Sequence, residues 1–240
     1  MIVVENLKKT FGKVEAVKRV SFRAEDGAIT GLLGENGAGK TTTIRSISGI
    51  LEPSDGSILI DGHRVVFGET DRPYSLGVLS DARGLAEKLT SVENIVYFGR
   101  MSGVSEADIK SRLDNIIQLL DMESIAHRRT EGFSTGQRVK VALARILISD
   151  PKNLVLDEPS SGLDVMSTRK LRDILRHLRD QGKCIVFTTH VMQEVEALCE
   201  EIMIMHEGTS LVEGKLEDLV KRANCDSLED AFVNYLQGEV

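Results

Sequence analysis

"GENGAGKTT", residues 34–42, is the stretch on which the reading of this chain turns. Gly34, Gly39, Lys40 and Thr41 satisfy the spacing G-x-x-x-x-G-K-[ST]. The stretch also follows an apolar strand-like run, "AITGLLG" at 28–34, and opens a helix from about Lys40. That context turns a pattern match into a structural expectation. The glycines let successive backbone N–H groups curl around a phosphate, the Lys40 ammonium reaches the β- and γ-oxygens, and the Thr41 hydroxyl suits Mg²⁺. The rival reading, a glycine-rich turn with a surface lysine, is disfavoured by the flanking strand and helix.

Two further stretches acquire meaning beside this one. "LVLDEP" at 154–159 is an apolar strand ending in two acids. With a phosphate loop upstream, Asp157 is placed to hold the water shell of Mg²⁺ and Glu158 to polarise an attacking water; alone, such a strand end is an ordinary solvated turn. "FSTGQRVK" at 133–140 opens a segment with apolar Val139, Ala142, Leu143, Ile146 and Leu147 at helical spacing. Ser134 and Gln137 form a Ser-x-x-Gln capping box, which needs no function beyond satisfying the first N–H groups of a helix. A glycine-bearing helix start is also an anion site. The chain therefore carries two phosphate-shaped helix starts.

Composition bounds the rest. The 240 residues, 41% of them hydrophobic, suffice for a sizeable core. Lys and Arg total 30 against 37 Asp and Glu, a net charge of −7 with no dense basic run, which counts against a nucleic-acid partner. Cys184, Cys199 and Cys225 form no Cys-x-x-Cys, and an odd count without a signal peptide fits reduced thiols in a cytosolic protein. No apolar run approaches the ~18 residues of a membrane-spanning helix, so work at a membrane requires another chain to do the spanning.

Along the chain, short strand-like runs at 2–7, 19–24, 28–34 and 57–62 surround the phosphate loop. From about Leu85 to Gly132 the character is helical, with Ile109, Leu113, Ile116, Ile117 and Leu120 on one face after the possible cap Ser105. α/β alternation then returns: a helix at 134–148, a strand at 153–157, a helix burying Leu171, Ile174, Leu175 and Leu178, and a strand at 184–190. A shorter helix, the run "EIMIMHEG" and an amphipathic tail helix follow. Strands separated by helices of this length imply parallel pairing.

"GENGAGKTT", "FSTGQ" followed by "VALAR", "LVLDEPSSGLD" and "TTH", in that order, resemble the nucleotide-binding subunit of ABC transporters across nearly the whole chain. The resemblance implies an α/β P-loop NTPase fold of ABC type, with a mixed sheet core, a phosphate-loop helix and a helical insertion. It makes 1–240 one ATPase domain: 1–84 and 133–215 as the core, 85–132 as the helical subdomain, 216–240 as a C-terminal helical tail. It implies ATP and Mg²⁺, bound by Gly34, Glu35, Asn36, Gly37, Ala38, Gly39, Lys40, Thr41, Thr42 and Asp157, with Phe11 stacked on adenine. Glu158, His190 and Lys40 become catalytic, His190 as the switch histidine at the γ-phosphate.

In that family two subunits dock head to tail, so Ser134, Gly136 and Gln137 would cap the ATP of the opposite phosphate loop, with Asp164 along the seam. Taken singly, Phe11 reads as core, His190 as a strand end and Asp164 as a helix N-cap. The other implied partner is an integral membrane permease, met at the cytoplasmic face, with no nucleic acid.

Two departures stand out. Thr135 takes the place of the usual glycine, and Asp81 stands where the family has the glutamine that links Mg²⁺ to the helical insertion; aspartate keeps an oxygen ligand but is shorter and charged. "VLSDARGL", "SGLDVMST" and "VMQEVEALC" resemble ATPase subunits of the NatA type, sodium-extruding ABC exporters. Alternatives are the ATPase of another exporter, for drug, lipid or polysaccharide, and a soluble ABC ATPase without a membrane partner. The single cassette and acidic balance weigh against the soluble form.

Overall fold

The computed structural model describes residues 1–69, 72–80 and 84–238. Strands β1 (Ile2–Phe11) and β2 (Val14–Ala24) form an antiparallel hairpin turned at Gly12, whose φ of +58° is natural for glycine. Both strands run well beyond the expected 2–7 and 19–24. Their added parts, 8–11 and 14–18, are largely exposed and intersperse charged with apolar residues, which hides them from an apolar pattern. β3 (Ile29–Gly34) leads into α1 (Lys40–Ile47), and β4 (Asp55–Ile60) and β5 (His63–Arg64) complete an antiparallel wing beside β1.

The remaining elements are β6 (Leu76–Leu79), α2 (Ser91–Met101), α3 (Glu106–Leu119), α4 (Thr135–Leu147), β7 (Asn153–Asp157), α5 (Val165–Asp180), β8 (Cys184–Thr189), α6 (Met192–Leu198), β9 (Glu201–His206), β10 (Thr209–Lys215), α7 (Leu216–Arg222) and α8 (Leu228–Gln237). The strands join one sheet in the order β5-β4-β1-β2-β10-β9-β3-β8-β7-β6. It is mixed. β9, β3, β8, β7 and β6 are parallel, the two hairpins β1–β2 and β9–β10 are antiparallel, and a single parallel bridge, Thr209 to Arg19, joins β10 to β2.

The parallel strands explain their own composition. Every residue of β3, β7 and β8 is buried, because both faces of a parallel sheet are covered. Successive side chains point to opposite faces: Leu33, Leu156 and Phe187 pack with α4 and α5, whereas Leu32, Val155 and Val186 pack with α1 and the β1–β2 hairpin. In the helical stretch, Ser105 caps α3 by accepting a hydrogen bond from the Asp108 N–H at 3.1 Å, and Ile109, Ile116 and Leu120 lie buried while Leu113 and Ile117 are partly so. β5, β6 and β10 have no counterpart in the sequence reading, and the helical tail expected at 216–240 is divided into α7 and α8. The two strands β5 and β6 are at most four residues long, and β10 is an edge-like polar strand whose residues are half-buried or exposed.

Gly77 of β6 lies under α4. A Cβ there would sit 2.2 Å from Ile146 Cγ2 and 2.8 Å from Pro151 Cγ. Strand propensity favours valine at such a position, whereas packing forbids it. Gly77→Val is therefore expected to destabilise the protein, by roughly 1–3 kcal/mol as overpacked cores do. Urea unfolding checks the sign, and a variant as stable as the parent would show that α4 does not rest on β6 as described.

Candidate active site

The parallel strands end in register, with Asp157 opposite Thr188 and Leu33 opposite Thr189, so their C-terminal ends share one edge. Sites in α/β sheets form at such edges. The 34–39 loop joins β3 to α1 there and is fixed by backbone crowding. A Cβ at Gly34 would meet the Met205 carbonyl at 2.4 Å, and one at Gly39, where φ is +101°, the Ala16 carbonyl at 2.7 Å. Gly37 has φ +88° with open space around it. Ala38 donates to the Glu35 carbonyl (3.2 Å) and its own carbonyl accepts from Gly208 N–H (3.0 Å), tying the loop to the β9–β10 turn. Gly39, the α1 N-cap residue, brings no side chain to the first N–H groups, which leaves them to an external acceptor. Glu35, Asn36 and Gly37 face solvent, and Thr42 is half-buried one residue along α1 from Thr41.

Lys40 is 5% exposed, and its Nζ donates to the Gly34 and Glu35 carbonyls at 2.7 and 3.0 Å. Burial pushes its pKa down, against a smaller upward pull from Glu158 and Asp157. Asp157 is 3% exposed; its Oδ1 accepts from Thr188 Oγ1 at 2.6 Å and from Thr41 Oγ1 at 3.4 Å. Glu158, at φ +43°, leaves the strand line. Its backbone N–H donates to Thr188 Oγ1 at 3.0 Å, and its carboxylate lies 4.0 Å from Lys40 Nζ and 3.3 Å from His190 Nδ1. Lys40, Thr41, Asp157, Glu158 and His190 thus converge.

Thr41 and Asp157 fit a hard cation: both offer oxygen, and their 3.4 Å separation is near the roughly 3 Å between neighbouring ligands of an octahedral Mg²⁺. The loop suits an oxyanion, and a carboxylate beside a histidine suits proton movement at its edge.

The other residues singled out by the sequence lie apart. Ser134 caps α4 through the full box, its Oγ accepting from Gln137 N–H (3.3 Å) and its N–H donating to Gln137 Oε1 (3.0 Å). Thr135 is exposed. Gly136 packs against α5, where a Cβ would be 2.9 Å from Ser167 Oγ. Asp164 caps α5 by accepting from the Ser167 N–H at 2.9 Å and its hydroxyl at 2.8 Å, and the backbone bond holds its carboxyl below the usual range. Among the described residues no hydrogen bond or ion pair joins 134–137 to 34–42. Phe11, at the tip of β1, is 48% exposed and so is not core; Lys9 Nζ lies 5.2 Å from its ring centroid. Asp81 lies outside the described residues.

The sequence reading missed Thr188, which bonds both acids, and Ser167, which links Gly136 to Asp164. Thr188 carried a signal, since a hydroxyl in a buried, mainly apolar strand calls for a partner.

The chain is similar to known proteins over most of its length. Residues 17–161 match the family model for the ABC transporter. The chain is 40% identical to the ABC transporter ATP-binding protein NatA of Bacillus subtilis, covering 93% of this chain and 91% of that protein. It is 32% identical to the linearmycin resistance ATP-binding protein LnrL of the same species, covering 95% and 73%. It superposes on the structure of an ATP-binding subunit of an ABC transporter with a TM-score of 0.89 at 27% identity, covering 98% and 99%. On a dimeric ATP-binding cassette captured after hydrolysis with ADP and Pi, the TM-score is 0.78 at 25% identity, covering 90% and 99%. By the match to that family model, by kinship over most of its length and by a P-loop NTPase fold of ABC type, the chain belongs to the ABC transporter family and is one of its ATP-binding subunits.

Proposed function

We propose that this subunit hydrolyses ATP as half of a head-to-tail homodimer on the cytoplasmic face of the membrane, driving a separate integral membrane permease that extrudes Na⁺. The observation that carries the hydrolytic part is that Lys40 Nζ and His190 Nδ1 both lie within 4.0 Å of the Glu158 carboxylate, at the edge beside Thr41 and Asp157. The 34–39 N–H groups and Lys40 bind the β- and γ-phosphates, Phe11 stacks on adenine, and Thr41 and Asp157 hold Mg²⁺, which neutralises phosphate charge. Glu158 accepts a proton from a water whose oxygen attacks the γ-phosphorus. The bond to the β-γ bridging oxygen breaks, and ADP and orthophosphate leave. His190, with Nδ1 toward Glu158, offers its other nitrogen to the γ-phosphate.

Ser134, Gly136 and Gln137 complete the partner's site. The dimeric state of one structural neighbour supports this, as does the α4 start, where the Ser134–Gln137 capping box fixes the orientation of both side chains. Asp81 takes the place of the family's glutamine toward the permease. The sodium assignment rests on the NatA-like segments. Kinship to the linearmycin resistance protein supports the rival reading, an exporter of another cargo.

Removing the proton acceptor while leaving the phosphate loop whole separates binding from turnover. Glu158→Gln is expected to lower kcat at least ~100-fold, within the range general bases supply, to retain ATP affinity and to elute as an ATP-bound dimer. Turnover at the parent rate removes Glu158 from the role.

Ser134→Arg and Lys40→Ala, each nearly inactive alone, are expected to rescue one another in part when mixed. One site of the heterodimer then has both the loop and the helix start intact. If mixing gives only the sum of the residual activities where heterodimers are shown to form, the shared site is wrong.

In inverted vesicles carrying the subunit with its permease, ATP is expected to drive ²²Na⁺ uptake that Lys40→Ala abolishes. Hydrolysis without ²²Na⁺ movement, while another solute moves, transfers the assignment to the other cargo.

A further inference from the structure

Beside the site lies a cavity of about 520 Å³ whose wall begins with Glu158 and His190 and continues along α5 past Thr168 to Arg169 and Arg172. Arg169 and Arg172 stand three residues apart and so share a helix face. Arg172 is half-buried, and its Nε is sealed from solvent with no hydrogen-bond partner. Among the described residues, no ion pair compensates either guanidinium. The second carboxylate of the wall, Glu194, is 6% exposed and accepts from Thr189 Oγ1 at 2.8 Å. Buried polar groups in folded proteins are nearly always satisfied, and a planar guanidinium is the side chain best matched to a phosphate oxyanion.

The cavity wall thus carries Glu158 and Glu194 together with two guanidiniums, Arg169 and Arg172, that form no ion pair among the described residues. We propose that this cavity is a receiving subsite for the orthophosphate cut from ATP, drawn from Glu158 toward Arg172 and Arg169 before it reaches solvent. The proposal rests on the hydrolytic reading above. The carboxylates that aid attack on the γ-phosphorus repel the free phosphate anion, and the α5 guanidiniums attract it.

Two measurements test this on the full chain with Mg-ATP. In the first, chemical quench follows ATP cleavage while a fluorescent phosphate sensor follows orthophosphate release. Arg172→Met is expected to lengthen the lag between cleavage and release roughly three- to tenfold, the loss of one charge-assisted contact, and Arg172→Lys to recover part of it. In the second, orthophosphate is titrated onto the Mg-ADP-bound protein and followed by ³¹P line width; Arg172→Met is expected to weaken binding by a similar factor. The exposed Arg169→Met carries both measurements should Arg172→Met lose the parent's cooperative thermal unfolding. A lag or an orthophosphate affinity equal to the parent's in the folded variants overturns the subsite alone. A parent protein that cleaves no ATP overturns the hydrolytic reading and the subsite with it.

Discussion

The hydroxyl of Thr188 is the interaction on which the candidate site depends. It lies fully buried in β8, donates to Asp157 and accepts from the Glu158 N–H. Parallel register brings it opposite Asp157, so one oxygen can serve two adjacent residues that need different things. Asp157 is held inward toward Thr41. Glu158, by contrast, takes a left-handed conformation, which costs a non-glycine residue roughly 1–2 kcal/mol. The bond to its N–H offsets part of that cost and turns its carboxylate out of the strand line toward Lys40 and His190. Two consecutive acids thereby acquire different surroundings: one is buried against hydroxyls, the other lies between an ammonium and an imidazole.

Lys40 has the complementary problem. Its ammonium is almost wholly enclosed, and two loop carbonyls, Gly34 and Glu35, take its protons. The same carbonyls hold the curvature of the loop, so the charge and the backbone shape are one arrangement. The β9–β10 turn braces it from behind through Gly208 and Ala38. That brace comes from a strand far along the chain, which is why the sequence pattern at 34–42 describes the loop's residues and not the surface that shapes them.

Much was nevertheless legible. The G-x-x-x-x-G-K-T spacing, the acidic strand end and the mainly apolar strands identify the parallel core, because burial on both faces favours a hydrophobic run. The Ser134 capping box reads directly from four residues and forms as read. Illegible were features set by long-range pairing. The outer halves of β1 and β2 are largely exposed and gain their strand form from each other. β10 is fixed by pairing with β9, with one bridge to β2, and the link from Gly136 through Ser167 to Asp164 depends on how α4 meets α5. Phe11 shows the converse: a lone aromatic after a strand suggests core, and only the hairpin's reach reveals it at an exposed tip.

The glycines of the phosphate loop answer to different masters. At positions 34 and 39 the excluding atoms are the carbonyls of Met205 and Ala16, which belong to the protein's own frame. Position 37 is constrained only by its backbone angle and faces open space. In a duplicated copy of such a chain released from any need to handle nucleotide, alanine at 34 or 39 would still be rejected, because the fold itself would suffer. Lys40, Thr41 and the two acids would be free to drift. Intact glycines in a decayed relative therefore testify to a preserved scaffold, and the charged and hydroxyl positions are the ones that record whether it still works.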